Sequence, residues 1–294
     1  GTTVISPATL ATITVNGLFK TSNPSGFSGS VTAAINSANS PAIVLGTAST
    51  VEYSAAGGGQ SVTPLVYNNL TMSNTSGNQT LTGNVTVTKT LSLNAGTMSI
   101  GANILTLNGP AIAGTPNSLS GNTTSSLVFG GNSTGITIPS NVFAINNLTI
   151  NNINGVSLNA DVGLTTNLLF SAGKLNTGSN KLILNSGATI TGAGQGTGWV
   201  NGNLQRNFSN TNPGVFEIGD LNYYSPLTLT FSGLTVAGNI LGSSTASEHP
   251  NISSSGIKAA KSINRYWNLT NSGVSFSAAD ISFNWNTADN DAGI

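Results

Sequence analysis

Few residues in this chain carry chemistry. Eight are Lys or Arg, eight are Asp or Glu, one is His and none is Cys, in 294 residues. The nearest approach to a catalytic pair is Glu217 and Asp220, with Arg206 upstream. Two carboxylates held roughly 5–10 Å apart can cleave a glycoside. The plainer reading of the same residues is an ion pair and a turn cap at Gly219-Asp220. Asp289-Asn-Asp291-Ala-Gly293 has the oxygen density of a calcium loop but neither the spacing nor the closing Glu of an EF-hand, so a solvated turn is expected there. His249 lies in Ser247-Glu-His-Pro-Asn251, and a Ser-His-Asp triad drawn from so many serines has no support in spacing. Gly192–Gly198 fails both phosphate-loop patterns and reads as a flexible linker or coil exit. The sequence therefore assigns no catalytic residue, no cofactor and no metal ligand.

Composition points the same way. Charged residues are 5% of the chain, where a soluble domain carries roughly 25%. Net charge is zero, so no basic surface is available for nucleic acid or anionic lipid. Without Cys there is no disulfide framework and no thiolate chemistry. No apolar run is long enough to span a bilayer as a helix. The chain starts at Gly1 without Met or a leader and stops at Ile294, and it reads as a processed or partial piece of something longer.

The elements that must position these residues are strands. Thr12–Asn16, Val85–Thr88 and Leu91–Leu93 alternate apolar with small polar residues, the period of a half-buried strand, and Leu182–Leu184 is a short apolar strand run. Tyr67-Asn-Asn-Leu-Thr-Met-Ser-Asn74 returns as Ile145-Asn-Asn-Leu-Thr-Ile-Asn-Asn152, an offset of 78. After a one-residue deletion the offset is 77, and it aligns Leu81 with Leu158, Val85 with Val162, Leu91 with Leu168 and Gly96 with Gly173. Two tandem copies thus cover about 49–126 and 125–202. Short strands joined by Gly and Asn corners with φ > 0 predict stacked coils of roughly 20–25 residues. On this reading Leu91 and Leu168 occupy equivalent inward positions. Thr86, Thr88 and Thr90 would line one outer strand face, the kind of array that orders water or ice, although the second copy breaks it with Gly163, Thr165 and Asn167. The sequons at Asn69, Asn84, Asn122, Asn147 and Asn268 are expected by chance in so Asn- and Thr-rich a chain.

From about residue 194 onward the charges return and all three Trp appear. Leu227–Phe231, Tyr266–Leu269 and Ile281–Trp285 look like antiparallel sandwich strands. Tyr223, Tyr224 and Trp199 are the aromatics on which a carbohydrate-binding surface would depend. The prediction is an all-β chain. A right-handed parallel β-solenoid (β-helix) occupies 1–198, and an antiparallel β-sandwich module, truncated at its C terminus, occupies 199–294.

Tyr67-Asn-Asn-Leu-Thr, Gly83-Asn-Val-Thr-Val and Gly101-Ala-Asn-Ile-Leu-Thr-Leu-Asn-Gly109 resemble segments of large secreted surface proteins of Bacteroidetes-type bacteria. Val200-Asn-Gly-Asn-Leu-Gln-Arg206, Phe216-Glu-Ile-Gly-Asp220, Tyr224-Ser-Pro-Leu and Asn264-Arg-Tyr-Trp267 carry the same resemblance. It implies solenoid repeats ahead of sandwich modules and cargo of the type IX secretion system, here without its sorting domain. The expectation is a secreted, cell-surface, non-enzymatic adhesin or filament segment. Its partners would be copies of itself, other surface proteins or glycans, with no nucleic acid and no membrane span. A carbohydrate-binding module or a β-helix polysaccharide-active enzyme is the alternative, and an ice-binding protein ranks below both. The uncharged stretch from 90 to 160 argues against the enzyme, which needs clustered acids and bases on one face.

Overall fold

The computed structural model describes residues 4–291. Strand makes up 51% and helix 4%. Short strands stack in parallel into a β-solenoid of about eight turns, and an antiparallel portion follows. Each turn contains three strand runs. Leu91–Leu93 lies on Leu70–Met72, Thr97–Ser99 on Asn78–Thr80, and Leu105–Leu107 on Val85–Val87. Alternation decides the interior: Val85, Val87, Leu91, Leu93, Leu105 and Leu107 turn inward and are buried, while Thr86, Ser92 and Thr106 between them face out.

The stacked positions recur at the coil length. On one face Val85 is followed by Leu105, Leu127, Leu148, Leu168 and Ile190, at steps of 20 to 22 residues. The 77-residue offset is therefore not a whole number of coils. Val85 has stack partners at 148 and 168, and its repeat equivalent Val162 falls between them, stacked instead on Leu182. Leu91 and Leu168 are both buried, as equivalence requires, but they sit in different sheets, on Leu70 and Leu148. The repeat advances the chain by three turns plus part of a fourth. Equivalent residues keep their inward direction and change face.

Corners are made differently from the expectation. Gly supplies the left-handed backbone: Gly173 has φ +83° and a Cβ there would lie 1.8 Å from the Asn152 carbonyl oxygen. Among the described residues no Asn has positive φ. Asn instead reaches across coils, its amide donating to a carbonyl one turn away. Asn103 donates to Leu81 O (2.8 Å), Asn152 to Ser133 O (2.8 Å) and Asn180 to Leu158 O (3.1 Å). A corner leaves carbonyls that the parallel ladder does not use, and the short Asn amide satisfies them without charge.

The first turn is closed by the segment around Phe27 and Ile35, both fully buried, which is held by Asn23 donating to Thr32 O at 2.8 Å. At the other end, stacking runs past the boundary expected at 198/199. Val200 lies on Leu175 and Ile218 on Val200, so a further coil belongs to the solenoid. Gly192–Gly198 is the exit of a coil rather than a flexible linker. Gly194 and Gly198 bridge each other, and Gly173 N–H donates to Thr197 O at 2.7 Å. The strand Val200–Phe208 then pairs antiparallel with Gly238–Thr245, which pairs with Tyr266–Ser272. A second antiparallel sheet comprises Gly214–Phe216, Leu227–Ser232 and Ala278–Phe283. The two sheets meet through Phe208 and Phe231, with rings 5.1 Å apart edge to face, and through Trp267 and Phe283 at 4.7 Å. This is the expected sandwich, continuous with the last solenoid strand.

The connection at 246–261 is the weak point of the chain. It crosses from one antiparallel strand to the next almost entirely exposed, with only short 3-10 turns. Limited proteolysis should therefore cut first between 246 and 261, and mass spectrometry of the fragments should show Gly192–Gly198 intact at that stage. An initial cut within 192–198 would mean that the coil exit is not held by its hydrogen bonds.

Candidate functional site

Three carboxylates of the C-terminal region, Glu217, Asp220 and Asp289, are bonded to two arginines. Arg206, on the last solenoid strand, places Nη2 2.8 Å from Glu217 Oε2, and both side chains are largely buried. Burial pushes the Glu217 carboxyl up, outweighing the Arg206 charge that pulls it down. Arg265, fully buried, donates from Nε to Asp289 Oδ2 at 2.7 Å and from Nη2 to Asp220. Asp220 also caps its own turn, accepting from the backbone N–H of Asn222 and of Tyr223 (3.0 Å) through Oδ1. Burial works against its charge, but these N–H groups and Arg265 together hold the carboxyl below the usual range.

A raised Glu beside a lowered Asp is the pattern of a general acid with a charged partner. Here each carboxylate is turned to its own arginine. The cleft between 184–189 and 206–214, about 260 Å³, is lined by Arg206 and not by Glu217. The arrangement ties chain segments together: Asp220, Arg265 and Asp289 join three connections that are far apart in sequence.

The other candidates are placed as follows. Asp289 is spent on Arg265, and Asp291 accepts from Ser262 N–H at 3.0 Å and from Asn264 Nδ2 at 2.7 Å. The remainder of that stretch, 292–293, lies outside the described residues. Among the described residues no three His, Asp or Glu side chains assemble into a cluster that could hold a metal ion. His249 accepts at Nδ1 from Asn251 N–H and packs edge-on against Tyr266 at 5.0 Å, so its nearest partners are a backbone amide and a ring. Trp199, offered as an exposed aromatic, is only 2% exposed. Its indole N–H donates to Asp220 O at 2.9 Å and the Lys174 ammonium lies 4.6 Å above its ring. Tyr223 and Tyr224 remain half-buried, and burial together with the Glu217 charge pushes the Tyr224 hydroxyl up to about 12.

Thr86, Thr88 and Thr90 do not share a face. Thr88 turns its hydroxyl to Tyr67 O at 3.1 Å across a corner. The outward row runs between coils instead: Val66, Thr86, Thr106, Val128, Thr149, Leu169 and Thr191 lie side by side on seven parallel strands. Beside it runs Ile104, Ser126, Asn147, Asn167 and Thr189. Neither row contains a charge. Reading along the chain missed this surface because its members are about 20 residues apart. A search at the coil length, rather than at 77, would have found it.

The pH response follows from Asp220. Its folded pKa lies below the unfolded one, so its contribution is present above the unfolded value and is lost as pH falls through the folded value. Acid titration watched by Trp fluorescence should show the C-terminal sheets loosening below about pH 4, from the ordinary Asp range. Asp220→Asn should remove that part of the acid dependence.

Fold and side-chain placement define a β-solenoid with an antiparallel sheet module built on its last strand. No family model, curated protein or solved structure matches the chain. Among the described residues no helix is long and apolar enough to cross a membrane.

Proposed function

We propose that this chain is a structural, non-enzymatic segment of an extracellular bacterial surface protein or filament, serving as a stalk or self-associating scaffold. Secretion as type IX cargo and a place on the cell surface belong to the same proposal and rest on the sequence resemblance. One observation carries the mechanical reading. A single buried ladder of Leu, Val and Ile runs from the first coil into the antiparallel sheets, while the carboxylates best placed for chemistry are held by Arg206 and Arg265. About eight turns at about 4.8 Å give a stack roughly 40 Å tall. Each added turn buries further apolar side chains against its neighbours only.

Incubation with a panel of polysaccharides should release no product, and electron microscopy should show rods or their assemblies. Association through uncharged rows should change little between about 0.05 and 0.5 M salt, since screening acts on charges alone. Polysaccharide cleavage that disappears in a folded Glu217→Gln variant would replace this reading with the enzyme.

The row of Thr86, Thr106, Thr149 and Thr191 favours a second reading, ice binding. Thr86 and Thr106 lie one strand spacing apart, about 4.8 Å, and Thr149 and Thr191 continue the uncharged row on the far sides of Val128 and Leu169. Thermal hysteresis that is lost in Thr106→Lys supports that reading, and its absence in the wild type removes it.

A further inference from the structure

The outermost strand of the second antiparallel sheet is left open. Ala278–Phe283 pairs with Leu227–Ser232 on one side, and no strand among the described residues pairs with its other side. Every residue in it is exposed. Ile281 and Phe283 are 40% and 42% exposed, although they lie on the side that meets Trp267, where the inward side chains of the solenoid are almost wholly covered. Edge strands of this kind are normally guarded by Lys, Pro or a bulge. This one carries none of them, and its single charge is Asp280.

The backbone phase is fixed by its neighbour. Asn284 N–H donates to Pro226 O at 3.0 Å, and the register places Phe283 opposite Leu227. Hydrogen-bonded positions alternate along an antiparallel pair, so residues 284, 282, 280 and 278 turn their N–H and C=O groups inward. Ala279, Ile281 and Phe283 turn theirs to the free edge.

From this we infer that the Ala278–Phe283 edge pairs antiparallel with the same strand of a second copy, about a two-fold axis at Ile281. The inference rests on the scaffold reading and names the surface it would use. The strand is complementary to its own reverse in that register. Ile281 faces the partner copy's equivalent residue, the large Phe283 faces the small Ala279 position, and Asp280 faces the Ser282 hydroxyl position rather than another Asp. The outward N–H and C=O groups of residues 279, 281 and 283 are those that such a pairing uses. The resulting sheet has six strands and no open edge in its middle. The contact is also continuous with the existing sheet-to-sheet packing, because the second copy's Ile281 and Phe283 positions extend the layer that Trp267 and Phe283 begin. The surface is isologous, so it joins two copies and closes. A longer assembly would need the uncharged rows on the solenoid as a second contact.

Sedimentation equilibrium of the whole chain tests the proposal. The wild type should be a dimer, and Ile281→Lys should be a monomer with unchanged circular dichroism. Val44→Lys, an exposed apolar site at the other end, should remain a dimer. The chain has no cysteine, which allows a direct test of register. Hydrogen-bonded partners in an antiparallel pair have Cα atoms about 5.5 Å apart, within disulfide range. Ile281→Cys should therefore oxidise to a covalent dimer, whereas Ser282→Cys and Val44→Cys should not. A monomeric wild type, or a dimer that survives Ile281→Lys, overturns the edge pairing and leaves the stalk reading standing. Polysaccharide cleavage by a protein that still cross-links at 281 removes the scaffold reading and leaves the edge pairing standing.

Discussion

Arg265→Met is expected to cost the C-terminal sheets about 3–5 kcal/mol, the range seen when one partner of a buried pair is removed. Arg265 is fully buried and, among the described residues, is the one cation bonded to both Asp220 and Asp289. Its loss leaves two largely buried carboxylates facing each other's charge without compensation. They can be neutralised only by taking up protons or by opening the connections that carry them. Two further results distinguish this account from lost packing alone. The variant should regain part of its stability on mild acidification, since protonation relieves both carboxylates. Arg265→Met combined with Asp220→Asn and Asp289→Asn should be more stable than Arg265→Met by itself. Denaturant unfolding followed by Trp fluorescence reads this region, because all three Trp lie in it. A single-variant loss below about 1 kcal/mol would place the triad with exposed ion pairs, which contribute little.

The ionic ties also mark the limit of what the sequence discloses. Alternation of Val85-Thr-Val87 or Leu91-Ser-Leu93 states which residues face in, and the structure buries those residues. The short Gly-rich corners state that strands are brief and the coils short. The face to which each strand belongs cannot be read this way, because 77 residues is not a multiple of the coil length. Asn was legible as a corner residue but not in its role, since a carbonyl one turn away is invisible in a local window. Glu217 and Asp220 stood out as a pair because they are close in sequence. Arg206, 11 residues from Glu217, was in view as an ion-pair partner, whereas Arg265, 45 residues from Asp220, is brought to it only by the folded chain. The outward row of uncharged residues was missed for the same reason as the face assignment. Along any one strand it contributes one or two residues.

The register itself predicts the pattern of core variants. Leu168→Ala and Leu91→Ala should each cost roughly 2–5 kcal/mol, because both side chains are buried in a packed stack and a cavity would remain. Thr88→Ser should be nearly silent, since the serine hydroxyl can still donate to Tyr67 O. Single variants do not separate stacking at the coil length from stacking at the repeat length; pairs do. Leu168 lies directly on Leu148, so Leu148→Ala and Leu168→Ala share one cavity and should depart from additivity by about 0.5 kcal/mol or more. Leu91 and Leu168, equivalent in the 77-residue repeat but in different sheets, should add within about 0.5 kcal/mol. A repeat-equivalent pair that couples while the stacked pair adds would reverse the assignment. Coils would then stack at the repeat length, and the uncharged row from Val66 to Thr191 would no longer form one surface.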